Sequence, residues 1–464
     1  MGTGMKRVWL AAFVSTVLVV IVLVAGDAIV REREYQALIA RGEAALSSGQ
    51  TYQAIEAFSG AIALRDSSMI AYLKRGEAYR QRGESSSALR DLRVAARLAP
   101  SAVRTAELLG DVNYGLERYE RAVEDYRAFV ALDERSPRVQ YKLALALFRN
   151  GEAASAIAPL RTAITLDGRL AEAHYVLGLC LKDTRRSKEA SDAFSDAVRL
   201  SPAFVAAREE LAAIFIAQGR TRQAIEQLEA IAALEPGRPE RQTAVALAYA
   251  GSGQTSTAVT VLGRAAERYP DDTGVFVALG RVWLEAAEPK RDRMAISKAL
   301  EALEPIARRP GAGSEALALF GRAQLLAGDA ARAEATLWQA SLSVPIRLES
   351  LLWHADAAER LGRLNVARES LRRWTVLAPD AHANRPPVFE RIGDLAARLG
   401  DPSAALRAFE QAALGPTPSA RMWAKLASAQ LSRGDAAAAR VSIERGLGFF
   451  PRDSGLAALQ RRLR

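Results

Sequence analysis

From Tyr35 onward, apolar residues recur at i, i+3, i+4 and i+7 in stretches about four turns long, the spacing of one buried helix face. The stretches themselves repeat. Ala54, Ala88, Ala122, Ala156, Ala190, Ala224 and Ala258 stand thirty-four residues apart. After a step of forty-one comes Ala299, then Ala333 and Ala367 at thirty-four, Ala405 after thirty-eight, and Ala439 at thirty-four. Twelve residues before each alanine stands a small residue, such as Gly42, Gly76, Gly110, Ala144 and Gly178; in one period the gap is nineteen, from Gly280 to Ala299. Four residues after each alanine stands a large apolar residue, from Phe58, Leu92 and Tyr126 through to Phe409 and Ile443.

These columns predict two helices per period. The small residue lets two helix backbones approach, and the large residue fills the space beside them. Glycines such as Gly49, Gly83, Gly151, Gly219, Gly253, Gly328, Gly362, Gly400 and Gly434 end the first helix in the left-handed conformation and turn the chain. Prolines such as Pro100, Pro202, Pro270 and Pro451 end the second. A single hairpin cannot bury its own apolar face, so stability must come from stacking on neighbours.

This pattern resembles the tetratricopeptide-repeat (TPR) family over residues 35–453, and the second unit is a close match through Tyr72, Arg75, Gly76, Tyr79, Gly83, Ala88, Leu92, Ala95 and Pro100. The resemblance implies an all-α fold, a right-handed α-α superhelical solenoid of about twelve helical hairpins. The units run 35–68, 69–102, 103–136, 137–170, 171–204, 205–238, 239–272, 273–313, 314–347, 348–381, 386–419 and 420–453, and residues 454–464 read as a capping helix. Unit eight carries seven extra residues between its helices, around Glu288, Pro289, Lys290, Arg291, Asp292 and Arg293. Four extra residues, His382 to Arg385, precede unit eleven.

The first 34 residues differ. Lys6 and Arg7 precede an uncharged stretch from Val8 to Gly26, nineteen residues that as a helix would reach roughly 28 Å, close to the ~30 Å of a bilayer core. This predicts a transmembrane helix at about 8–26 within an anchor at 1–27, then a linker at 28–34. With positive charge before the span, the expectation is a single pass through a bacterial inner membrane and a body in the periplasm. Val24, Ala25 and Gly26 leave cleavage, and so secretion, as the alternative.

Composition narrows the chemistry. One cysteine, Cys180, excludes an internal disulfide framework and the paired CxxC motifs of a rubredoxin-like metal domain. Three histidines (His174, His354, His382) and the lack of a P-loop, a dinucleotide fingerprint, HExxH or GxSxG argue against an enzyme, a cofactor or a metal. Cys180 lies between Leu179 and Leu181 on an amphipathic stretch and reads as a small core residue, and His174 and His354 read as structural. Lys and Arg number 63 against 53 Asp and Glu, a net charge of +10. The excess is spread thinly, which disfavours nucleic acid as partner and leaves an anionic polysaccharide as an alternative.

In TPR proteins the first helices line the concave face and bind other proteins or peptides. Carrying those positions over gives a groove in units two to five: Lys74, Arg80, Arg104, Tyr114, Arg138, Tyr141, Phe148, Arg149, Tyr175 and Lys182. Rings mixed with cations suit extended peptides or anionic groups. The carboxylate clamp of chaperone-docking members is absent, since Ile39 and Glu43, Leu73 and Glu77, Glu107 and Asp111, and Tyr141 and Leu145 occupy its positions. The expected function is a membrane-anchored scaffold or adaptor that helps assemble a cell-envelope complex, with a part in exopolysaccharide synthesis or export as the alternative.

Overall fold

A computed structural model describes residues 3–463 apart from 289–290, 380–381 and 416–417; the side chains of residues 3–8, 10–12, 14, 17 and 19 lie outside the described set. Among the described residues there are twenty-five helices and no strand. The chain divides into two compact units, one ending at Gln218 and one beginning at Gly219.

The N-terminal unit holds α1 (Thr3–Ser47), α2 (Thr51–Leu64), α3 (Met69–Gln81), α4 (Ser85–Leu98), α5 (Val103–Gly115), α6 (Tyr119–Leu132), α7 (Pro137–Arg149), α8 (Ala153–Leu166), α9 (Ala171–Asp183), α10 (Ser187–Leu200) and α11 (Val205–Ala217). Successive helices pair as antiparallel hairpins, from α1 with α2 to α9 with α10, and each second helix packs on the next first helix. First helices also meet one another, α1 with α3, α3 with α5 and α7 with α9. They therefore form one face of the stack.

The C-terminal unit repeats the arrangement. It holds α12 (Thr221–Leu234), α13 (Pro239–Gly251), α14 (Thr255–Arg268), α15 (Thr273–Ala287), α16 (Arg293–Ala307), α17 (Ser314–Ala327), α18 (Ala330–Leu342), α19 (Leu348–Arg360), α20 (Leu364–Leu377), α21 (Arg385–Arg398), α22 (Pro402–Ala413), α23 (Ala420–Ser432), α24 (Ala436–Phe449) and α25 (Ser454–Arg462). First helices α13, α15, α17 and α19 again meet in sequence, and α25 packs on α23 and α24. Asp453 caps α25 by accepting the Leu456 amide at 2.8 Å, and Leu456 is fully buried.

The repeating columns have a steric basis. A Cβ on Gly42 would lie 2.5 Å from the Phe58 ring, one on Gly110 2.5 Å from Tyr126, one on Gly178 2.5 Å from Phe194, and one on Gly393 2.4 Å from Phe409. Each glycine thus leaves the space that an aromatic ring of the second helix occupies. Where alanine takes the small position, as at Ala246, Ala355 and Ala427, the residue in the same cluster is Leu262, Leu371 or Ile443, narrower than a ring. Each ring thus faces a glycine, whereas leucine stands opposite glycine as well, at Gly76, Gly280 and Gly321. The nine turn glycines expected to be left-handed all have positive φ, from Gly219 at 69° to Gly328 at 94°. In hairpins three and five the same place is held by Glu117 (57°) and Arg185 (60°), residues that bear a cost in that region which glycine would not.

The insertions resolve into local structure. Asp292 caps α16, its carboxylate accepting the Met294 amide at 2.9 Å; Pro289 and Lys290 of that loop lie outside the described residues. Ahead of α21, Arg385 donates to the carbonyls of Thr375 and Ala378, both at 2.9 Å, and so closes the end of α20.

The N-terminal reading requires correction. The apolar stretch is the start of α1, a continuous helix of 45 residues that passes through Asp27, Arg31, Glu32, Arg33 and Glu34 and ends against α2. Residues 28–34, expected to be a linker, lie inside it. Among the described residues no helix is long and apolar enough to cross a membrane. The transmembrane anchor and the single-pass inner-membrane location expected from the sequence are therefore not supported.

The steric pairing makes a direct prediction. Gly178→Ala should destabilise the protein by about 1–3 kcal/mol through overpacking. Phe194→Leu should recover part of that loss in the Gly178→Ala background although it is harmful alone. A double-mutant cycle by urea unfolding measures the coupling, and simple additivity would contradict the pairing.

Candidate functional site

The face formed by the first helices carries a chain of ion pairs, each joining one hairpin to the next. On the N-terminal unit Lys74 of α3 reaches Glu43 of α1 at 3.2 Å, and Arg104 of α5 reaches Glu77 of α3 at 2.7 Å. Lys142 of α7 bridges Glu107 and Asp111 of α5 at 2.8 and 2.7 Å, and Lys182 of α9 meets Glu210 of α11 at 2.6 Å. Partners lie about one period apart because equivalent turns of neighbouring first helices face each other.

Glu107 is the centre of this chain. Its side chain is 1% exposed, and Arg104, Arg138 and Lys142 all pair with it. Burial alone would raise its pKa, but the Lys142 and Arg104 hydrogen bonds and the nearby Arg138 charge outweigh burial and hold the carboxyl below the usual carboxylate range. Beside it Tyr126 donates to Asp111 at 2.8 Å, and burial together with the Asp111 charge keeps that phenol protonated. The C-terminal unit repeats the device: Lys425 of α23 bridges Glu390 and Asp394 of α21 at 2.7 and 2.5 Å. Arg391 of α21 meets Asp356 and Glu359 of α19 at 2.7 and 2.6 Å, and Arg322 of α17 meets Glu288 at 2.9 Å.

Rings stand between the ion pairs of the N-terminal unit. Tyr114, Tyr141, Phe148 and Tyr175 are half-buried on α5, α7 and α9. Tyr114 meets Tyr119 edge-on with centroids 5.4 Å apart, and Tyr175 packs on Phe204 at 4.9 Å and Phe194 at 5.8 Å. Burial raises the pKa of both Tyr141 and Tyr175. Their hydroxyls therefore stay neutral.

Profiles described as tetratricopeptide repeat match residues 39–103, 108–171 and 391–454, residues 181–248, and residues 244–272. The chain carries tetratricopeptide repeats. Among solved structures it is similar to MamA (26% identity over 36% of this chain and 92% of that one, TM-score 0.35). It is also similar to YrrB, described as a TPR protein with an unusual peptide-binding site (22% identity, 39% and 94% covered, TM-score 0.37). A third is PilF of Pseudomonas aeruginosa (22% identity, 46% and 96% covered, TM-score 0.36). A comparison with curated proteins finds no match. TPR proteins are commonly protein-interaction scaffolds, and they bind other proteins or peptides.

The ten groove residues expected from the TPR resemblance all lie on first helices α3, α5, α7 and α9. Four of the six cations among them, Lys74, Arg104, Arg138 and Lys182, are engaged by carboxylates of neighbouring TPR helices. Arg149 is exposed, and the buried Nε of Arg80 meets no acceptor among the described residues. Sequence reasoning named Glu43, Glu77, Glu107 and Asp111 only in excluding the carboxylate clamp, and did not pair them with these cations. Of the other residues singled out, Cys180 is fully buried and its thiol is pushed up to about 12 by burial. His354 is buried, its Nδ1 2.6 Å from Ser370 Oγ, and burial with the nearby Arg373 lowers its pKa to about 4. His174 is also buried, with Nδ1 3.7 Å from Asp196. Among the described residues no group of His, Cys, Asp or Glu could hold a metal.

Two outcomes follow for this face. Glu107→Ala should cost about 1–3 kcal/mol by removing the one buried carboxylate that three solvent-reaching cations share, whereas removing Glu43 or Glu210, each paired with a single lysine at the surface, should cost about 0–1 kcal/mol; urea unfolding of each variant checks the ranking. For His354 the folded pKa lies below the ordinary 6.5, so between about pH 6.5 and 4 the unfolded chain binds a proton that the folded chain does not. Its contribution is full above that window and lost as pH falls, with a limiting slope of about 1.4 kcal/mol per pH unit. His354→Gln should remove this component when stability is compared between pH 7 and 4.5.

Proposed function

We propose that this TPR chain is a non-catalytic scaffold that holds a peptide or protein segment of a partner along the first-helix face of α5, α7 and α9. The observation that supports it is the row of half-buried rings, Tyr114, Tyr141, Phe148 and Tyr175, set on helices that the ion pairs lock in register. Aromatic side chains with two rotatable bonds lose little entropy on binding and offer an apolar flank with a polar tip. With the surrounding cations already neutralised, the ligand this face suits is a largely uncharged extended segment, with Arg80 and Arg149 at the margin for a carboxylate. An anionic polysaccharide fits less well, because it would have to displace Glu43, Glu77, Glu107 and Glu210 from their cations.

A photo-crosslinking side chain placed at Tyr141 or Tyr175 in the native cell tests the reading. The expected result is one discrete adduct from both positions and none from Arg127 or Lys188, which are exposed on second helices α6 and α10. Equal labelling from all four positions would remove the groove from consideration.

A further inference from the structure

Helix α1 is unlike the other helices of the stack. It runs for 45 residues, and only its last part belongs to a hairpin. Tyr35 is the first of its described residues to be buried, and Glu32, just ahead, pairs with Arg65 beyond the end of α2. The part before Glu32 is an arm roughly 40 Å long at 1.5 Å per residue.

That arm carries a concentrated load of exposed apolar side chains. Trp9, Phe13, Leu18, Ile29 and Val30 are each more than half exposed, as are Val20, Ile21, Val22, Leu23 and Val24. The last five are successive residues, more than one full turn, so the helix is apolar on all sides there. A helix of that kind is normally buried. The ten side chains present on the order of 1,000 Å² of apolar surface, above the ~300–600 Å² of the largest patch on a typical monomer.

Charge identifies what covers it. The apolar run is bracketed by opposite signs, with Lys6 and Arg7 before it and Asp27 after it. Two copies of the arm laid antiparallel, with their runs in full overlap, set Asp27 of each level with Lys6 and Arg7 of the other. Parallel arms would set Asp27 against Asp27, a like-charge contact. Asp27 also holds Arg31 of its own helix at 2.8 Å, and a carboxylate has room to accept from a second cation. The antiparallel arrangement is two-fold symmetric, so both ends match at once. It covers one side of each helix, on the order of 1,000 Å² over the two chains, which is the size a specific interface needs. The overlap of the two runs ends at Asp27, ahead of Tyr35, where α1 enters the stack.

We propose that the arm of α1 pairs antiparallel with the arm of a second copy of this chain, so that two TPR bodies stand at opposite ends of one helical pair. The pairing surface is separate from the groove on α5, α7 and α9. It doubles that groove within one particle, and a partner with two matching segments gains affinity from the second engagement without any new contact.

The test uses the full chain in buffer without detergent. Light scattering coupled to size exclusion should give the mass of two chains, or an even multiple where pairs stack. Ile21→Asp combined with Leu23→Asp should weaken self-association at least tenfold and leave the melting temperature of the body unchanged, since these side chains are 59% and 66% exposed. Orientation is read from spin labels. Cys180 is fully buried, so an Ile29→Cys variant takes its label at one place. Antiparallel arms put the two labels roughly 35 Å apart, because residue 29 lies level with residue 5 of the partner at 1.5 Å per residue; parallel arms put them about 10 Å apart. A single-chain mass at every concentration, an aggregate of no fixed mass, undiminished association of the aspartate variant, the short label distance, or binding of a monomer to phosphatidylcholine vesicles in place of pairing would each overturn the proposal.

Discussion

The structure depends on one close approach, a small residue on each first helix facing a large one on its partner. Where the large residue is an aromatic ring the small one is glycine, because even a methyl group would penetrate the ring. This lock sets the distance between the two helices of a hairpin, and that distance sets which side chains of neighbouring hairpins can meet. A core built this way has no layer that belongs to one hairpin. Each second helix buries its apolar face partly against its own partner and partly against the next first helix, so stability is shared along the stack.

Once the helices are placed, charge follows geometry. Residues about one period apart on successive first helices come within bonding distance, and the chain uses this repeatedly: Lys142 with Glu107 and Asp111 in one unit, and Lys425 with Glu390 and Asp394 in the other, are the same arrangement. Exposed members of such chains contribute little each. Glu107 differs because it is buried, and a buried carboxylate persists only with several cations around it. The ion pairs therefore do more to hold register between hairpins than to advertise charge. A surplus of basic residues in the composition thus translates poorly into an anion-binding surface.

The repeat also has exceptions. Asn113 donates to Asp125 in hairpin three, where hairpin nine has Gln324 and Thr336 at the corresponding positions. Glu117 and Arg185 hold the turn geometry that glycine supplies elsewhere. Regular positions build the scaffold, while the places where the pattern lapses distinguish one stretch of it from another.

How much could be read in advance follows from range. The thirty-four-residue period, the helix pair, the left-handed glycines and the small-and-large columns are local or nearest-neighbour properties, and the amino-acid order alone determines them: Gly178 and Phe194 sixteen residues apart already imply a hairpin. The groove was legible only in part, since its rings and cations stand at known places in each repeat, but whether Lys74 or Lys182 is neutralised depends on which rotation brings Glu43 or Glu210 alongside. The apolar stretch before Asp27 was misread because hydropathy in a window does not show that the same helix continues through seven charged residues to Ser47. Periodicity is written along the chain; satisfaction of charge and hydrogen bonds is settled only when distant segments are brought together.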